Sequence, residues 1–91
     1  MKVVVRLSTA LRPYAGGAAS LDFDLPAPVS VGDVVDALAK AHPGVGRRIR
    51  DEAGAIRRHV NLFVGSEKAP GADTLVPEAA ELTVLPAVSG G

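Results

Sequence analysis

Cysteine is absent from the chain. That excludes disulfides, thiolate metal sites and a cysteine nucleophile. A charge excess is lacking too, since Lys+Arg 10 balances Asp+Glu 10. No global field draws the chain to nucleic acid or to an anionic membrane. Long apolar runs are missing: the longest, such as Met1 to Val5, fall far short of a bilayer span. The N-terminus has neither the apolar core nor the small-residue cleavage site of a signal peptide. The expectation is a cytoplasmic protein with no nucleic acid and no membrane among its partners.

What is present fits one small domain. The 91 residues are 47% hydrophobic, a globular rather than a disordered composition. Lys2 to Leu7 is β-branched and apolar and reads as a strand. Ala10 to Tyr14 leads into the turn signal Gly16-Gly17. Ser20 to Leu25 alternates polar with apolar residues, so Leu21, Phe23 and Leu25 point inward. The two strands make a hairpin with a long connection.

Pro26-Ala27-Pro28 ends that strand. Ser30 with Asp33 three residues later opens a helix, although Asp replaces the usual Glu or Gln. Val31, Val34, Val35, Leu38 and Ala41 form its apolar stripe, and His42-Pro43-Gly44 stops it, which places the helix at 31–41. A short second helical turn is expected from Val45 to Asp51, around Ile49. Glu52 to Ile56 reads as a loop. His59 to Val64 is a third strand, and Gly65-Ser66 a two-residue turn of the type with Gly first. Glu67 to Ala69 makes a short return strand, Asp73-Thr74-Leu75 a 3₁₀ turn, and Glu81 to Leu85 the last strand. One long helix must then cover a mixed sheet of four to five strands. This order predicts an α+β roll of the ubiquitin type.

The chain closes on Pro86-Ala87-Val88-Ser89-Gly90-Gly91. Residues 1–85 are expected to form the domain and 86–91 a flexible tail. Six extended residues reach about 20 Å, at roughly 3.3–3.6 Å each. Glycine has no Cβ, so a Gly-Gly terminus passes through narrow channels and adopts φ values closed to other residues. A carboxylate is a poor electrophile until adenylation gives it a leaving group. An enzyme that does this must bring ATP against a bare peptide end, where side chains obstruct.

Thr83-Val84-Leu85-Pro86-Ala87-Val88-Ser89-Gly90-Gly91 resembles the C-terminus of the MoaD/ThiS sulfur carriers. Ser30 to Leu38 resembles their helix opening, and His42-Pro43-Gly44 its exit. The likeness covers nearly the whole chain. Leu11 to Gly17, His59 to Val64 and Leu85 to Val88 look closest to the CysO type, which serves a cysteine synthase. Two places depart from the pattern: Gly65-Ser66 stands where an Asn-containing turn is common, and Ala69 to Leu75 lacks a Gly-Leu-x-Thr match.

The resemblance implies a ubiquitin-like β-grasp fold and a carrier or co-substrate rather than a catalyst, able to act as the small subunit of a sulfur-transfer complex. Gly91, with Gly90 before it, carries the adenylate and then the thiocarboxylate. No cofactor is bound; ATP and a sulfur donor are used by an E1-like adenylyltransferase/sulfurtransferase. The acceptor implied first is a cysteine synthase acting on O-phosphoserine, with a metallopeptidase releasing the cysteine. Molybdopterin synthase large subunit, thiazole synthase and a specialised-metabolite pathway are the alternatives. The same activated terminus also serves a protein modifier conjugated through Gly91. An inert tail on an interaction module is the third possibility.

Strand alternation predicts the docking face. With Val3, Val5 and Leu7 inward, Val4 points out; Phe63 and Leu85 point out by the same argument. Val4, Phe63 and Leu85 are expected on the open sheet face near the tail, together with Pro86, Ala87, Val88 and Ser89 as partner-binding residues. The alternative for Phe63 is burial under the loop from Arg47 to Ile56. Arg47, Arg48, Arg50, Arg57 and Arg58 read first as a solvated face and second as a patch for an acidic partner. His42 and His59 lack metal-ligand spacing, so no metal is expected.

Overall fold

The computed structural model describes residues 1–86, with the side chain of Pro86 excepted. The predicted flexible tail, from Ala87 to Gly91, lies outside the described residues. Five strands form one sheet: β1 (Lys2–Leu7), β2 (Ser20–Asp24), β3 (Val60–Val64), β4 (Glu67–Lys68) and β5 (Glu81–Pro86). Their order is β2-β1-β5-β3-β4. β1 and β5 run parallel at the centre, and the other pairs are antiparallel. Helices α1 (Val31–Ala41) and α2 (Pro43–Ile49) supply the helical layer. This is the α+β, ubiquitin-like β-grasp architecture that the element order predicts.

The buried residues obey the predicted alternation. Val3, Val5 and Leu7 of β1, Val60 and Leu62 of β3, and Leu82 and Val84 of β5 all enter the core. They meet Val31, Val34, Val35 and Leu38, one stripe of α1 at helical spacing. Leu21, Phe23 and Leu25 pack against this core but are only partly buried, because β2 is an edge strand.

The start of α1 is closed reciprocally. Ser30 Oγ accepts from the Asp33 N–H at 3.1 Å, and Asp33 Oδ2 accepts from the Ser30 N–H at 3.0 Å. The shorter acid therefore completes the box. Two further N–H groups of the first turn, on Val31 and Gly32, donate to the Thr74 and Ala72 carbonyls at 2.8 Å each. That task explains a departure from expectation at 73–75. No 3₁₀ helix forms there; a single turn closes earlier, where the Thr74 N–H donates to the Gly71 carbonyl at 3.2 Å, and Leu75 bridges Ser30. The predicted Gly65-Ser66 turn is present, with Gly65 at φ 61°.

The second helix begins earlier than the sequence predicts and ends earlier too. Pro43 occupies its first turn, where a missing N–H costs nothing, so the residue that ends α1 starts α2. Its glycines are contacts. A Cβ on Gly46 would stand 2.5 Å from Ala39 Cβ and 2.8 Å from Ala39 Cα, where α2 crosses α1. Gly46→Ala is therefore expected to lower stability by about 1–3 kcal/mol, because backbone must move to make room. A urea unfolding midpoint equal to that of the parent would show that the helices do not meet this closely.

Candidate functional site

The site is built around the end of β5. Leu82 and Val84 point into the core, so Thr83 and Leu85 face the opposite side of the sheet. Phe63 is opposite Thr83 and Asn61 is opposite Leu85. Phe63 is half-buried and is not among the side chains packed on the core. The Arg47–Ile56 loop belongs to the other side of the molecule, where Ile56 packs against the core. Phe63 and Leu85 are thus diagonal neighbours on the open face, within side-chain reach. Leu85 is 40% exposed.

Val4 shares that face but not that neighbourhood. It lies opposite Glu81, four residues before Leu85 along β5, a separation of about 13 Å. Arg6 stands between them, its Nε 3.0 Å from Glu81 Oε1. The expected patch is therefore divided: Phe63 and Leu85 lie near the end of β5, and Val4 sits beyond an ion pair. Alternation gives each residue's face, but only the register of the parallel β1–β5 pair reveals this distance.

Pro86 is the last strand residue described, opposite Val60. Ala87, Val88, Ser89, Gly90 and Gly91, which carry the remaining site expectations, lie outside the described residues.

On the helical side of the same strand end is an open groove of about 560 Å³. Ala10, Leu11, Tyr14, Arg47, Arg48, Arg57, His59 and Val60 line it. The Arg48 guanidinium carbon sits 3.4 Å from the centroid of the Tyr14 ring, a cation–π contact. Gly44 makes this possible, since Tyr14 Cβ is 3.3 Å from where a Cβ would stand on it. The basic cluster read from the sequence is thus split. Arg50 pairs with Asp36, while Arg47, Arg48 and Arg57 gather in the groove. Tyr14, which the sequence reading did not single out, is 41% exposed beneath Arg48. Its only sequence signal is an aromatic beside Gly16-Gly17 in a chain that is 3% aromatic.

Among the described residues, no group of His, Asp and Glu could hold a metal ion. No described helix is long and apolar enough to cross a membrane.

Similarity to known proteins agrees with this geometry. Sulfur carrier protein CysO of Mycobacterium tuberculosis is 32% identical over 96 aligned positions, covering 100% of both chains. The crystal structure of SAMP1 from Haloferax volcanii superposes with a TM-score of 0.89 at 30% identity, covering 100% of each chain. A chain of the Amycolatopsis orientalis BexX/CysO complex gives 0.81 at 30% identity, covering 98% of this chain and 99% of that one. The model of the ThiS family matches residues 5–91. The chain belongs to the ThiS family.

Proposed function

We propose that this protein is a sulfur carrier of the CysO type that works through the carboxylate of Gly91. The full-length likeness to CysO is the observation that carries the reading. The strand end supports it: β5 is held by β1 as far as Val84 and by β3 as far as Pro86, so whatever follows starts from an anchored strand.

The chemistry balances as follows. A carboxylate oxygen of Gly91 attacks the α-phosphate of ATP, and pyrophosphate leaves. The acyl-adenylate is electrophilic at carbon, with AMP as its leaving group. A hydrosulfide-level donor attacks that carbon, AMP departs, a proton is released, and a thiocarboxylate remains. An E1-like adenylyltransferase/sulfurtransferase catalyses both steps. The chain itself supplies reach, a backbone free of obstructing side chains and a docking face. The acceptor is a sulfur-accepting synthase, first a cysteine synthase with a metallopeptidase downstream. Molybdopterin synthase large subunit and thiazole synthase follow. Phe63 and Leu85 are the apolar residues placed to meet such partners.

The test is intact mass. Incubation with the cognate activating enzyme, ATP and sulfide is expected to add about 16 Da, the difference between sulfur and oxygen. An unchanged mass overturns the reading. A second reading, conjugation through Gly91 to amines of other proteins, is favoured by the likeness to SAMP1, a small archaeal modifier protein. Its mark is higher-mass adducts in lysate that depend on Gly91.

A further inference from the structure

Arg47, Arg48 and Arg57 have no carboxylate within ion-pair distance among the described residues. The described ion pairs of the chain use other cations: Met1, Lys2, Arg6 and Arg50. Yet two of the three groove arginines are held in place. Arg48 Nη1 donates to the Gly44 carbonyl at 3.0 Å, with Tyr14 beneath the guanidinium. Arg57 Nε donates to the Arg47 carbonyl at 3.1 Å. Guanidinium groups fixed by backbone carbonyls and a ring lose less freedom when they bind. The formal net charge is zero, so this unpaired positive cluster is a local concentration.

Its position is specific. Val60 lines the groove and lies opposite Pro86. Ala10 and Leu11 follow β1, whose last residue, Leu7, lies opposite Val84. The groove therefore opens where β5 leaves the sheet.

We propose that this groove docks an acidic segment, bearing Asp and Glu side chains, on the protein that receives the tail. The proposal rests on the carrier reading for what the tail does. Distance argues for carboxylates on a protein surface and against the phosphates of the activation chemistry. Five residues beyond Pro86 span about 17 Å when extended, so a terminus inserted into a reactive centre stands that far from the groove. The groove meets the lip of the receiving cleft. Forked guanidinium donors match carboxylates there, and complementary charge around the lip speeds encounter and sets orientation. The neighbouring groove shares Arg47 and Arg57 but is a poorer candidate, because Asp51 and Glu52 line it as well, whereas no carboxylate of the described residues lines the groove beside Tyr14.

The test uses the full chain labelled with ¹⁵N. It is titrated with a hexaglutamate peptide and, separately, with inorganic phosphate, at about 0.02 M and about 0.5 M salt. The peptide is expected to shift the amides of Ala10, Tyr14, Arg47, Arg48, Arg57 and His59. Its affinity is expected to fall at least about tenfold at high salt, and about tenfold in the Arg47→Glu/Arg48→Glu variant. If that variant loses its structure, Arg47→Glu alone gives the same readout, since no hydrogen bond of its side chain holds the described fold. Shifts scattered over the surface, or an unchanged titration in the variant, overturn the proposal. So does phosphate moving the same amides as strongly as the peptide, which assigns the groove to a phosphate ligand. None of these readouts needs sulfur loading, so failure here is distinct from failure of the carrier reading.

Discussion

If the chain carries sulfur on Gly91 as proposed, deleting Gly91 is expected to lower the efficiency of sulfur loading by at least about 100-fold. The deletion leaves a glycine at the end, so the chemistry of the terminus is unchanged and only its position differs. One residue is about 3.5 Å of reach. Displacement of a reacting atom by 1 Å can cost about 100-fold, because attack on the α-phosphate requires a near in-line approach. The buried core of the described residues runs from Val3 to Val84, and thermal unfolding is expected to match that of the full chain. The comparison to make is the rate of the 16 Da gain in the two proteins under one set of conditions. Equal rates would mean that the activating enzyme does not measure the tail from its root, and would leave Gly91 without a special place.

Ile49→Ala is expected to cost a large share of the stability. Ile49 is fully buried and is the last residue of α2. Truncation removes three carbons from a packed site and is expected to cost about 2–5 kcal/mol. That is a large share of the roughly 5–15 kcal/mol that holds a domain together. At about 4–8 °C per kcal/mol for a domain of this size, Tm should drop by at least about 10 °C. The position is unforgiving because α2 has seven residues, too few to be helical without tertiary support. The Ile49 carbonyl also accepts from the Arg57 N–H at 2.8 Å, so the anchor sits beside the groove arginines. A calorimetric Tm within about 3 °C of the parent would show that α2 is held by other contacts.

Much of the fold was legible in the sequence because its signals are local. Ser30, Asp33 and the apolar stripe from Val31 to Leu38 mark α1, since a cap and a period of 3.6 depend only on near neighbours; Ala41, expected in the same stripe, is exposed at the helix end. Alternation likewise assigned the faces of β1, β3 and β5. What escaped is non-local. Pro43, Gly44 and Gly46 resemble breakers, yet two of them are glycines because Tyr14 and Ala39 press against them from elsewhere in the chain. Residues 73–75 are shaped by the helix start they cap. The site divides in the same way. The Gly90-Gly91 terminus is readable as a motif and falls outside the described residues. The separation of Val4 from Leu85, and the gathering of Arg47, Arg48 and Arg57 in one groove with Tyr14, depend on pairings that no stretch of sequence contains.

The central place of β5 has a mechanical consequence. A tail drawn into a partner transmits tension to Pro86, and that strand is hydrogen-bonded to β1 on one side and β3 on the other. Because β1 runs parallel to β5, a pull on the tail against the start of β1 loads their ladder in shear. Its bonds must then yield together instead of opening one after another, as they would at an unzipping hairpin end. A domain loaded in this way resists unravelling when it is pulled from the end of β5.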